Sequence, residues 1–175
     1  MIAIFWRAFV RVKQLKVEEE TGFGMDIECR DMLGFTQSYF DNCVFPLGIS
    51  LTVEKLMTIP LADVPGKIRV MTKSVDKKYL NSILNKMEST GNNRNVSSGI
   101  NTVGNDFSLL SWSKFRLPDI DFGCGKPTNF KKLFGAYSRF HVWKSVDKKG
   151  FVVRVSLKDD QLKSFLADEE VQLLL

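Results

Sequence analysis

The chain has 175 residues, of which 44% are apolar, 26% charged and 11% aromatic. That composition excludes disordered, collagenous and repeat architectures, and a single domain near this length buries about two-thirds of the surface its unfolded chain exposes. The formal charge of +5, from 25 Lys and Arg against 20 Asp and Glu, is scattered through pairs such as Lys77-Lys78, Lys131-Lys132 and Lys148-Lys149, so no nucleic-acid stripe is present.

Residues 1–12 begin the chain with Ile2, Phe5, Trp6, Phe9 and Val10 at helical spacing, while Ala3, Ile4, Ala8 and Val12 make the other faces apolar as well. A helix apolar all round belongs inside a larger body. Arg7 and Arg11 interrupt it before a membrane-spanning length, and it has no basic leader, so neither a signal peptide nor a membrane span is expected. After a charged turn at 17–21, residues 24–30 alternate apolar and polar as a half-buried strand does. A second strand is expected at 43–51. From Thr52 the pattern becomes helical through Val53, Leu56 and Met57, with Pro60 and Pro65-Gly66 expected to break the run before Ile68, Val70 and Met71. Asp76 is placed to cap a helix whose stripe is Leu80, Ile83, Leu84 and Met87.

Residues 89–105, rich in Gly, Asn and Ser, form an expected polar surface loop. Strands follow at 107–112, at 140–143 and around Phe151, Val153 and Val155, and Asp159 and Asp160 then open a short helix carrying Leu162, Phe165 and Leu166. Strands interleaved with helices predict an α/β chain: one domain over 1–175 with a mixed β-sheet and flanking helices.

The residue types that carry chemistry are sparse. Cys29, Cys43 and Cys124 are odd in number and not closely spaced, which predicts neither a disulfide framework nor a zinc site and suits a reducing, cytoplasmic compartment. The one histidine, His141, lies in an alternating run without a second imidazole for a metal site or an orienting acid for a triad, and reads as structural. No nucleophile elbow, phosphate loop or dinucleotide fingerprint occurs. What stands out is Ser111-Trp112, followed by Asp121-Phe122-Gly123-Cys124-Gly125-Lys126-Pro127. By composition alone this is a tight turn shaped by its glycines, with Asp121 accepting backbone hydrogen bonds.

That segment resembles the BAHD acyltransferases, whose C-terminal half carries a Ser-Trp strand and then an Asp-Phe-Gly-Trp-Gly turn followed by a basic residue and proline. More of the chain agrees in the same order. Phe5-Trp6-Arg7-Ala8 is similar to the family's Phe-x-Trp-Arg helix, and Ile27-Glu28-Cys29-Arg30 to its strand ending in arginine. Tyr39-Phe40-Asp41-Asn42-Cys43-Val44 resembles its Tyr-Phe-Gly-Asn segment, and 62–68 its Gly-Lys-Ile-Arg helix.

The resemblance implies a chloramphenicol-acetyltransferase-like fold and transfer of an acyl group from acyl-CoA, as co-substrate and without a metal, to a hydroxyl or amine acceptor. The family's base is the histidine of a His-x-x-x-Asp motif, which this chain lacks, so the chain is expected to correspond to the C-terminal half and to be inactive alone. By the same resemblance, Asp121, Phe122, Gly123, Cys124 and Gly125 form a structural motif in which Asp121 pairs with Arg30, and Ser111 and Trp112 line the acyl and coenzyme A channel. Three positions depart from the pattern. Leu110 stands where some members carry a hydroxyl that helps hold the oxyanion, Cys124 replaces the turn's tryptophan, and Asp41 replaces a glycine. The alternative reading is a non-catalytic remnant that binds a ligand or a partner protein, or self-associates, through an exposed half-interface. Neither nucleic acid nor membrane is an expected partner.

Overall fold

The computed structural model describes residues 1–36, 38–89, 100–101, 104–130, 139–147 and 149–175. Most of the expected loop at 89–105, together with Lys131, Lys132 and Lys148, lies outside that set, as does the side chain of Met87.

Helix α1, Ile2–Lys13, buries every residue from Ala3 to Val10 and ends where Gln14 turns left-handed at φ 54°. The one charge inside this buried run is put to use. Arg7 Nε donates to the Leu56 carbonyl at 3.0 Å, and its terminal nitrogen donates to the Ile59 carbonyl. These carbonyls belong to the last turn of helix α3, Val53–Thr58, and its C-cap, which lack intrahelical donors and carry the negative end of the helix dipole. The burial of α1 thus comes from packing around its whole circumference, as its all-round apolarity implies.

Strand β1, Glu20–Glu28, begins four residues earlier than its alternation suggested. Arg30, expected to end that strand, instead starts a one-turn helix α2, Arg30–Leu33, which Gly34 closes at φ 83°. Strand β2, Val44–Thr52, runs antiparallel to β1, and its last residue Thr52 caps α3 by accepting from Lys55 N at 3.3 Å. Helix α4, Asp63–Lys73, contains Pro65-Gly66, which were expected to break it. Pro65 falls in the first turn, where backbone N–H groups have no intrahelical acceptor, so a proline there removes nothing. Asp76 caps helix α5, Lys77–Ser89, by accepting from Tyr79 N at 2.7 Å.

Strands β3, Phe107–Ser111, β4, Arg139–Lys144, and β5, Phe151–Arg154, complete the sheet. Among the described residues it has five strands in the order β2-β1-β3-β4-β5, with β1, β3 and β4 parallel and both outer strands antiparallel to their neighbours. The mixed sheet with flanking helices is the expected architecture. Helix α6, Asp159–Leu166, and the short α7, Glu169–Gln172, close the chain.

The core lies on one face of the sheet. Phe23, Phe107, Leu109, Phe140 and Val142 project into it and meet Phe5, Trp6 and Phe9 of α1 with Phe165 of α6. The rings form a continuous run: Trp6 to Phe23 at 5.7 Å, Phe23 to Phe107 at 5.7 Å, Phe107 to Phe140 at 4.6 Å and Phe140 to Phe165 at 5.3 Å between centroids. Edge-on and tilted pairs of this kind add about 0.5–1.5 kcal/mol each beyond the area they bury. A polar thread at the edge of this region is fully hydrogen-bonded. Trp6 Nε1 donates to Thr21 Oγ1 at 3.1 Å, and that hydroxyl donates onward to the Asn105 carbonyl at 2.7 Å.

Candidate functional site

Side chains alternate along each strand, so the residues between the core phenylalanines face the other way. The register aligns Gly24 with Ser108 and Ser108 with Arg139, and in the next row Leu110 with His141 and His141 with Arg154. This second face is polar, glycine-rich and only partly covered. Ile100 lies over its edge so closely that a Cβ on Gly22 would stand 2.5 Å from the Ile100 Cδ1 atom and one on Gly24 3.1 Å from its Cγ2 atom. Only glycine admits that approach without displacing Ile100.

A cavity of about 80 Å³ opens on this face, lined by Gly24, Asp26, Pro46, Ser108, Leu110 and Arg139 among others. Arg139 Nε donates to Ser108 Oγ at 3.3 Å, which fixes the guanidinium against its wall. A complete small-molecule site encloses roughly 300–1,000 Å³, several times this volume. Neither Asp26 nor Arg139 was singled out from the sequence. The signal that could have found them is the strand alternation itself, which puts both on the face that carries Leu110.

Strand β3 hands over to the motif segment through Trp112, whose backbone N donates to the Val142 carbonyl at 2.7 Å. The Trp112 ring lies 6.1 Å edge-on from the His141 ring and 6.2 Å from Phe115. His141 is fully buried, whereas a base must reach the proton it removes. Ser111 is exposed and shares a 2.9 Å hydrogen bond with Ser113. Ser111 and Trp112 thus sit at the C-terminal end of the central parallel strand, with Leu110 of the same strand lining the cavity.

The following turn is self-contained. Asp121 Oδ1 accepts from Gly123 N at 2.7 Å and Gly125 N at 3.0 Å. Gly123 and Gly125 hold φ of 95° and 94°, a conformation that disfavours any residue with a Cβ. Phe122 is 91% exposed and Cys124 is exposed as well.

The expected ion pair between Asp121 and Arg30 is not formed. Arg30 instead bonds Glu28 Oε1 at 2.8 Å and donates to the Tyr39 and Asp41 carbonyls at 3.1 and 2.7 Å. The reason is local: a carboxylate two residues away and two carbonyls of the adjoining turn satisfy the guanidinium, while Asp121 finds two backbone donors within four residues. Arg30 therefore shapes the 39–41 turn, next to the fully exposed Phe40.

Elsewhere, Arg11 forks onto Asp168 at 2.7 and 2.8 Å and reaches Glu170 at 2.7 Å, tying α1 to α7. Burial alone would raise the Asp168 carboxyl, but the Arg11 hydrogen bonds and charge with two backbone donors outweigh it and hold it below its ordinary value. Among the described residues no cluster of three or more His, Cys, Asp or Glu is arranged to hold a metal, and no helix is long and apolar enough to cross a membrane.

Comparison with known proteins places this architecture. The model of the Transferase family matches residues 1–172, and the chain belongs to that family, the BAHD acyltransferases, which move acyl groups from acyl-CoA to alcohol or amine acceptors. It is 28% identical over 130 residues to anthranilate N-benzoyltransferase protein 3 of Dianthus caryophyllus, covering 71% of this chain and 29% of that protein. Against putrescine hydroxycinnamoyltransferase 3 of Oryza sativa subsp. japonica the identity is 28%, covering 74% of this chain and 31% of the relative. In fold it is similar to F. sporotrichioides TRI101, solved with coenzyme A and T-2, at a TM-score of 0.81 and 22% identity, over 98% of this chain and 42% of that one. Vinorine synthase follows at a TM-score of 0.70 and 15% identity, over 93% and 38%. The matched stretch thus spans about a third of the curated relatives' length.

Proposed function

We propose that this chain supplies the C-terminal portion of an acyl-CoA-dependent acyltransferase acting on a hydroxyl or amine acceptor, and that the histidine base is supplied by sequence outside it. The observation that carries this reading is the family match across residues 1–172. The cavity accords with it, because about 80 Å³ cannot by itself enclose a thioester and an acceptor. In this reading Ser111 and Trp112 border the acyl channel, Leu110 contributes apolar contact where a hydroxyl would donate, and the Asp121 turn holds its own shape beside them. An oxyanion donor then has to come from another residue.

The test is release of free coenzyme A from acetyl-CoA or benzoyl-CoA with tryptamine as trial acceptor. The 175-residue chain alone is expected to show no turnover above buffer, and turnover is expected once the chain is joined to a segment carrying His-x-x-x-Asp. Turnover by the chain alone that disappears in His141→Ala would overturn this reading.

A non-catalytic remnant is the second reading, favoured by the departures at Leu110, Cys124 and Asp41 and by the exposed Phe40 and Phe122. Persistent inactivity of the joined protein, together with a stable dimer of this chain, would select it.

A further inference from the structure

We propose that Cys29 and Cys43 form an intramolecular dithiol site that a low-molecular-weight disulfide oxidises to a Cys29–Cys43 disulfide. Fourteen positions separate them in the sequence, and nothing in their spacing pairs them. The sheet does so. The β1–β2 register ends at Glu28 opposite Val44, and one further bond, from Cys29 N to the Cys43 carbonyl at 2.9 Å, holds the next two residues, both cysteines, opposite each other before the Cys29 carbonyl turns to accept from Leu33 N in α2.

Opposed residues on such a ladder have Cα atoms about 4.5–5.5 Å apart, inside the roughly 4.4–6.8 Å that disulfides span. Both side chains also point the same way. They follow Ile27 and Phe45 at one-residue offsets from Glu28 and Val44, and both are buried in one apolar cluster with Leu47, Val75 and Leu80. Both are free thiols.

Burial, then the neighbouring Cys43, holds the Cys29 thiol above its ordinary value, so this sulfur stays protonated and slow to react until the segment opens. Cys43 is the more accessible, at 9% exposure against 2%, and directly follows residues 38–42, which are all exposed. The step therefore begins there. The Cys43 thiolate attacks one sulfur of oxidised glutathione, forming a mixed disulfide and releasing one glutathione thiolate. The Cys29 thiolate then attacks the Cys43 sulfur and displaces the second glutathione. The two protons lost by the cysteines end on the two glutathiones, and the two electrons reduce the donor's disulfide. The product closes a loop around Arg30 and the 39–41 turn, the segment that resembles the family's Tyr-Phe-Gly-Asn motif.

The experiment uses the whole chain carrying Cys124→Ser, because the exposed Cys124 would form mixed disulfides of its own. The protein is refolded from urea in oxidised glutathione, so that burial cannot hide the thiols, and then titrated and mapped by mass. The expected result is loss of both titratable thiols, a mass lower by about 2 Da, and one peptide pair joining Cys29 to Cys43, all reversed by dithiothreitol. A rise of several degrees in melting midpoint should accompany it. Two thiols still titratable after refolding, or glutathione adducts that persist on Cys43 without the cross-link, would overturn the proposal. The Cys43→Ser variant should keep Cys29 uncrosslinked under the same treatment.

Discussion

Substitution of Asp121 separates two accounts of the motif turn. In the structure its carboxylate accepts two backbone N–H groups, from Gly123 at 2.7 Å and Gly125 at 3.0 Å, in an exposed loop. A hydrogen bond contributes about 0.5–1.5 kcal/mol net, and here water can take over both donors when the acceptor is lost. Asp121→Ala is therefore expected to cost about 1–2 kcal/mol, which for a chain of this size lowers the melting midpoint by roughly 3–6 °C. Asp121→Asn keeps an oxygen acceptor and should cost about 0.5 kcal/mol or less. A buried Asp121–Arg30 ion pair would behave differently, since neutralising one partner strands the other charge at about 3–5 kcal/mol.

The assay is urea unfolding of the wild type, Asp121→Ala, Asp121→Asn, Arg30→Ala and the Asp121→Ala/Arg30→Ala double variant. Because Arg30 bonds Glu28 and the 39–41 turn, the two losses should add to within about 0.3–0.5 kcal/mol. A coupling above about 1 kcal/mol, or an Asn variant as damaged as the Ala variant, would refute this account of the turn.

Three further outcomes follow from the core and its clamp. Thr21→Val removes the acceptor of the buried Trp6 Nε1, and should cost about 1–3 kcal/mol in urea unfolding, more than an exposed threonine would. Phe140→Ala removes the ring that touches Phe5, Phe107 and Phe165, with an expected loss of about 3–5 kcal/mol. Asp168 has a folded-state value below its unfolded one, so its contribution is fully present above the unfolded carboxylate value near 3.9 and is lost as pH falls through the lower folded value. A pH series of melting midpoints should show this loss in the wild type below about pH 4 and a shallower one in Asp168→Asn, which has an amide in place of the titrating carboxyl.

Much of the fold was legible because its signals are local. The all-round apolarity of α1 announced its burial, the alternation in β1 and β4 announced strands, and Asp76 announced the start of α5. What misled were residues whose meaning depends on position in the turn. Pro65 reads as a breaker until it is known to be in a first turn, and Arg30 reads as a strand end until α2 is seen to begin there. The site was legible only in part. Ser111, Trp112 and the Asp121 turn were found through resemblance, yet the partners of Asp121 and Arg30 depend on which groups lie within a few residues. Asp26 and Arg139, far apart in sequence, come to line one cavity only through the sheet register. The Cys29 and Cys43 pairing is hidden for the same reason, since a ladder register is a tertiary fact.

In the proposed reading, stability and acyl transfer are divided between the two faces of the sheet, and this division can be tested. The aromatic core, the Trp6–Thr21 thread and the Arg11–Asp168 clamp all lie on the helix side or at its edge, whereas Leu110, Ser108 and Arg139 line the cavity on the other face. Leu110 is only half-buried, so Leu110→Thr gives up little apolar contact and should cost about 1 kcal/mol. In the joined protein the new hydroxyl restores a donor at the position two residues before Trp112, and turnover should rise more than the small stability change could account for. If Leu110→Thr leaves the turnover number unchanged while Phe140→Ala, by destabilising the core, changes it, then the cavity face is not where acyl transfer is tuned, and the assignment of Trp112 and its strand to the channel falls with it.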